Sequence, residues 1–343
     1  MIQQLQDIQA AAGATFDSDI PVSFGNDSEA LEAVQSGVAI CDRTHWGVIE
    51  VTGGDRLRFL HNQSTNNFER LKSGEGCDTV FVTSTARTID LVSAIVTDDS
   101  VLLITSPNRY KYLLELLDRY IFFADKVELT DITDKTAIFS LIGANSNDLV
   151  SKIGLEAIIG QPVGNHLLID DVRTAVGSGL ATPGYTLIVP AENAAKVWKS
   201  IVEADAVPMG DRVWEQLRIK QGRPVPDKEL TDDYNPLEAG LLQTISFDKG
   251  CYIGQETIAR LNTYKGVKQN LWGIKLNGVA EVGSVIMVGE EKVGKLTSIV
   301  ESDRGFFGLG YIRTKAGGAG LIVQIGETTG EVVEVPFLSR VSL

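Results

Sequence analysis

Beyond residue 265 the helix-period pattern disappears from this chain. In its place come short β-rich runs (LWGIKL, SVIMVG, KLTSIV, FFGLGYI, LIVQIG, VVEVPFL) separated by glycine-bearing turns. Many short strands packed into roughly 75 residues must hide their unpaired edges, and a small closed barrel or sandwich does this. Upstream, strands and helices interleave. Helices are expected at 4–12, 26–36, 55–62, 108–121, 145–153, 191–203, 210–221 and 255–262. Tyr112, Leu113, Leu116, Leu117 and Tyr120 form the apolar stripe of the fourth. Strands are expected at 47–52, 79–83, 89–96, 101–105, 136–142, 167–176, 185–189 and 243–247. The alternation lacks strict βαβ regularity, so α+β lobes of the split βαβ (ferredoxin-like) kind fit better than a doubly wound sheet. The reading is an α+β protein in three parts: an N-terminal lobe at 1–142, a second lobe at 143–264, and a C-terminal antiparallel β-barrel at 265–343.

Charge narrows the function. Lys and Arg number 31 against 45 Asp and Glu, a net charge of −14. General nucleic-acid binding rests on excess cations and is not expected. The stretch 249–275 runs the other way, with Lys249, Arg260, Lys265, Lys268 and Lys275 against Glu256 alone. It is either a solvated charged face or a local site for an anion such as a phosphate or a polyglutamate tail. No apolar run is long enough to span a membrane. The first basic residue is Arg43, unlike a signal or transit peptide, so a cytoplasmic location is expected. Cys41, Cys77 and Cys251 are far apart and no CxxC or HxxxH occurs, so neither a resident metal nor a disulfide frame is expected.

The chemistry concentrates in Asp248-Lys249-Gly250-Cys251-Tyr252-Ile253-Gly254-Gln255-Glu256. A strand ends and a helix begins there, which puts Cys251 beside Lys249 and ahead of a helix amino terminus. Both would favour thiolate over thiol. The alternative is a buried, inert cysteine in a tight turn. In Asn235-Pro236-Leu237-Glu238-Ala239-Gly240-Leu241, Glu238 stands among apolar residues and must be partnered or face a cavity. Its carboxylate would match the 2-amino and N3–H donors of a pterin. Otherwise Arg218, Lys220 or Arg223 neutralises it. Asp90 interrupts an apolar strand and faces either an edge or a ligand cavity. There is no GxSxG elbow, P-loop or strand-borne GxGxxG.

Lys249 to Glu256 resembles in full the K-G-C-[FY]-x-G-Q-E signature of the YgfZ family of folate-binding proteins, relatives of the glycine-cleavage T-protein (aminomethyltransferase). Val38 to Gly53, Leu60 to Asn66, Asn235 to Leu241 and Lys265 to Gly273 are similar to the T-protein frame, so the resemblance spans nearly the whole chain. It implies a T-protein-like arrangement of three domains around a central cavity for tetrahydrofolate or a one-carbon derivative. It implies a role in assembling or repairing iron–sulfur proteins, with bacterial members supporting a radical-SAM enzyme that methylthiolates tRNA. The implied partners are therefore a reduced folate and iron–sulfur enzymes or cluster-assembly proteins, with no membrane. Cys251 and Lys249 would form the reactive pair, and Glu238, Asp90, Tyr252, Gln255, Glu256 and Arg223 the folate-facing set. Two departures stand out. The two glutamates of the T-protein run G-Y-T-G-E-x-G-[FY]-E align with Thr182 and Thr186, and the usual glycine before Arg87 is Ala86. A folate-dependent aminomethyltransferase or demethylase is the first alternative, and a non-catalytic interaction module of the same fold the second.

Overall fold

A computed structural model describes residues 2–302 and 305–340. The chain divides into two compact units, each assembled from separated segments. The first takes Met1–Phe59, Phe68–Asp78 and Val92–Glu215, and the second takes Leu60–Asn67, Thr79–Leu91 and Gln216–Leu343.

In the first unit, Thr136–Ile142 (TAIFSLI) is buried at every position, as a strand covered on both faces requires. It pairs antiparallel with Gly184–Pro190 on one side and Ala39–Asp42 on the other, at the centre of a six-stranded sheet. Helix Ala194–Glu203 buries Ala194, Ala195, Trp198 and Ile201, the spacing of a single helical face. Trp198 stacks on Phe24 and meets Phe139 edge-on. The expected strand 167–176 is two strands, His166–Ile169 and Val172–Val176. Asp170 and Asp171 turn the chain between them at φ 47 and 64, where aspartate stands in for glycine.

A five-stranded sheet runs in the order Gly76–Val82, Thr88–Val96, Ser100–Thr105, Gly47–Thr52, Glu128–Asp131. The amphipathic helix covers Tyr110–Asp118, with Leu113 and Leu117 buried. Tyr112, expected on the same stripe, is 45% exposed because it lies a third of a turn off the Leu113–Leu117 row.

The second unit contains the barrel. Strands Gln269–Leu276, Gly305–Arg313, Glu291–Ser302, Val285–Val288, Ile322–Ile325 and Thr328–Val333 close on themselves in that order. The register slips between Leu296 and Ser298, and this bulge turns two consecutive hydroxyls to one carboxylate. Thr297 and Ser298 both donate to Glu229 Oε1, at 2.8 and 2.6 Å, while Arg218 meets Glu229 Oε2 at 3.0 Å. Arg218 therefore pairs with Glu229, and the cations that act on Glu238 are Arg87 and Lys268. The expected strand at 243–247 is instead a short 3-10 turn, Leu242–Thr244, followed by loop.

Candidate functional site

The signature loop is fastened on both sides of Cys251. Ahead of it, the Lys249 ammonium donates to the carbonyls of His61, Ser64 and Asn66 at 2.5, 2.7 and 2.6 Å. Behind it, the Ile253 amide donates to the Asn62 carbonyl at 3.0 Å. Tyr252 folds back so that the Lys249 ammonium lies 4.5 Å from its ring centroid, and burial pushes its phenol up to about 12. Gly250 leaves room for His61, whose Nε2 would sit 3.4 Å from a Cβ at that position. Between these fastenings Cys251 is exposed, not buried as the alternative reading had it. The Lys249 ammonium thus meets three backbone carbonyls.

Helix Gln255–Thr263 follows, with Gly254 as its cap in the left-handed conformation at φ 82. A Cβ there would lie 2.9 Å from Val82 Cγ2, 3.0 Å from the Thr83 carbonyl and 3.1 Å from Ala86 Cα. Gln255 is half-buried and Glu256 exposed in the helix's first turn. Ala86 itself takes φ 61, the conformation for which a glycine would be the ordinary choice.

Two adjoining cavities lie in the same unit, about 700 and 430 Å³, and share Arg87, Glu238 and Lys268 in their walls. Asp233, Gln269, Arg313 and Lys315 also line the larger, and Arg260 and Tyr264 the smaller. Glu238 Oε2 accepts the Asn235 amide at 3.1 Å, and Asn235 Oδ1 accepts the Leu237 and Glu238 amides, a reciprocal turn that fixes the carboxylate. Burial raises the Glu238 pKa, partly offset by the Asn235 amide and the nearby Arg87. A carboxylate beside guanidinium, ammonium and amide groups can take both the donor edge of a pterin and the anionic end of a folate. The volume is of the usual size for a small-molecule site. Asp90 is fully buried on Thr88–Val96 and lines neither cavity. Arg223 lies under the Phe337 ring at 5.9 Å, and it too is outside both cavity walls. Arg87, Arg313 and Lys315 were not singled out from the sequence, because two distant segments supply them. His61, Ser64 and Asn66 sit in the LHNQSTN run, whose value lay in carbonyls that residue types do not reveal.

The first unit answers the T-protein departures. Thr186 accepts a hydrogen bond from the Arg43 guanidinium at 3.1 Å and donates to the Gly177 carbonyl at 2.8 Å. Arg43 lies between Trp46 and Trp214, 4.6 and 4.8 Å from their ring centroids. Thr182 lends its carbonyl to the Ser178 hydroxyl. Among the described residues no group of three His, Cys, Asp or Glu is placed to hold a metal ion, and no helix is long and apolar enough to cross a membrane.

The family model described as "GCVT N-terminal domain" matches residues 1–249. The chain belongs to the GCVT family. This GCVT-family chain is 48% identical to "Putative transferase At1g60990, chloroplastic" of Arabidopsis thaliana, over 98% of its own length and 79% of the relative's. It is 28% identical to the aminomethyltransferase of Halalkalibacterium halodurans, over 94% and 92% of the two chains. The crystal structure of the glycine cleavage system aminomethyltransferase T from Bartonella henselae superposes with a TM-score of 0.87 at 17% identity, covering 98% of each chain. The fold is thus that of the T-protein, and its closed C-terminal barrel is the one expected from the β-rich runs.

Proposed function

We propose that this GCVT-family chain is a YgfZ-type protein that binds tetrahydrofolate or a one-carbon derivative and assists assembly or repair of iron–sulfur proteins, with Cys251 as its working thiol. The observation that carries the reading is Cys251 itself: an exposed thiol held at the tip of a loop anchored on both sides, within the full K-G-C-Y-I-G-Q-E run. Glu238 and its cationic neighbours would hold the folate, which supplies one-carbon chemistry when bound. A cluster would be cargo, passing by way of Cys251 to clients that include a radical-SAM enzyme of tRNA methylthiolation. The location follows the clients. The relative named chloroplastic extends the expected cytoplasmic setting to its plastid counterpart.

The competing reading, an aminomethyltransferase, is favoured by full-length relatives bearing that name. Against it stands Thr186, which has no carboxylate and is held by Arg43.

The test uses Cys251→Ser, which keeps the side chain's shape and removes its nucleophilicity. The variant should retain the parent melting temperature and fail to restore iron–sulfur enzyme activity in cells lacking the native protein. In the parent, Cys251 should be alkylated ahead of Cys41, whose thiol is buried and pushed well above its ordinary pKa by that burial. Full complementation by a stable Cys251→Ser protein defeats the reading. Turnover of an aminomethylated lipoyl carrier would establish its rival.

A further inference from the structure

Lys249 is a charged side chain only 7% exposed, and every hydrogen bond shown for its ammonium runs to a backbone carbonyl. Those carbonyls close the segment that begins with helix Arg56–Gln63. His61 lies in its last turn, and Ser64 and Asn66 lie just beyond. Carbonyls at a helix's carboxyl end lack intrahelical donors and sit at the negative end of its dipole. A primary ammonium offers three donors from one centre, the geometry that three converging oxygens accept and that a planar guanidinium does not. The Tyr252 ring lies 4.5 Å away, so an aromatic face joins the three carbonyls around the cation.

We infer that Lys249 is a positioning residue: its ammonium plugs the His61–Ser64–Asn66 carbonyl nest and thereby holds Cys251 at a fixed place on the surface. The inference rests on the reading of Cys251 as the working thiol, but the plug has its own measurements. With Lys249 bound ahead of the thiol and the Ile253 amide bound to Asn62 behind it, only Gly250, Cys251 and Tyr252 form the arch. Tyr252 is itself drawn inward over the cation, which leaves the thiol as the outward group of the three. Releasing the ammonium would free the near end of the arch and load the Ile253 amide bond alone. The effect on the thiol is therefore mechanical, transmitted through the backbone.

The experiment is chemical rescue. Lys249→Ala removes the stem and ammonium beyond Cβ, and n-propylammonium has the size and charge to refill the nest. Hydrogen exchange of the Ile253 amide and the rate of Cys251 carbamidomethylation are read in the parent and the variant, with and without the amine. Losing hydrogen bonds to a charged group should speed Ile253 exchange by about tenfold or more. The alkylation rate should shift with it, and n-propylammonium should reverse both changes while sodium chloride at equal ionic strength does not. Lys249→Met, which keeps an apolar stem, should show the same exchange defect without rescue, because its side chain still occupies the path. If Lys249→Ala will not fold, n-propylammonium during refolding should restore soluble yield. Ile253 exchange within twofold of the parent in either folded variant, rescue by sodium chloride as good as by the amine, or no gain in refolding overturns the inference. Complementation by Cys251→Ser would defeat the thiol reading while leaving the exchange result, and hence the plug, standing.

Discussion

At the scale of single residues, His45 is held neutral. Burial, and then the Arg43 guanidinium, lower its pKa from 6.5 to about 4. Its 3.9 Å approach to Asp211 becomes an ion pair only once the imidazole protonates, so at neutral pH it contributes no charge pairing. The unfolded chain protonates His45 near 6.5, whereas the folded chain resists until about 4. Between those values the unfolded state binds more protons, so stability is full above 6.5 and falls as the pH drops toward 4. The loss approaches about 3 kcal/mol by the bottom of the window. Urea titrations at pH 7 and pH 5 should show about 2 kcal/mol of this loss in the parent and a much smaller one in His45→Gln. Equal slopes in the two proteins would show that His45 is not the group responsible. How far such detail can be read from sequence is plain at Lys249. Its place beside Cys251 in the chain suggested action on its neighbour, yet its ammonium binds carbonyls up to 188 residues away in sequence. Adjacency says which residue types share a loop. Where a long, flexible stem ends depends on a distant segment whose contribution is backbone, to which residue identity is silent. Glu238 was more legible, because a carboxylate among apolar neighbours needs a polar surrounding whatever the fold.

At the scale of elements, legibility follows length and pattern. The barrel runs declared themselves because a strand's two-residue period repeats between glycine turns. Thr136–Ile142 did so because seven consecutive buried residues leave few other placements. The three-residue strands Thr15–Asp17 and Val207–Met209 are too short to show a period, and their pairing partners decide them. The helix after the signature was readable, but the reason for Gly254 at its start was not. The left-handed backbone and the contacts with Val82, Thr83 and Ala86 come from a turn far upstream. A methyl group there meets two costs: about 1–2 kcal/mol for a left-handed non-glycine residue and about 1–3 kcal/mol for forcing atoms into a packed place. Gly254→Ala should therefore lose about 2–5 kcal/mol by chemical denaturation. It should also shift Cys251 alkylation, since the loop and the helix share this junction. A loss under about 0.5 kcal/mol would mean the Thr83–Ala86 turn does not pack on the loop as described.

At the scale of the whole molecule, an anionic ligand meets two opposing fields. The chain as a whole carries −14 and repels it. The larger cavity presents Arg87, Lys268, Arg313 and Lys315 against Asp233 and Glu238, and attracts it. Glu291 lies 2.9 Å from Lys315 and 3.9 Å from Arg313, so Arg87 and Lys268 carry more of the local attraction. Ionic strength separates the two fields by range. The screening length is about 30 Å at 0.01 M and about 10 Å at 0.1 M. Salt added over that interval removes the distant repulsion first, and further salt then weakens the cavity's own cations. Folinic acid affinity should consequently rise to a maximum and then fall as salt is raised, as followed by tryptophan fluorescence. Lys268→Gln should flatten the fall at high salt. Glu238→Ala acts on the pterin edge, so it should weaken binding by about tenfold to a hundredfold across the series without altering the position of the maximum. If Glu238→Ala binds folinic acid as tightly as the parent, the pterin does not meet this carboxylate. Asp90, buried on the neighbouring strand, is then the acidic group to test.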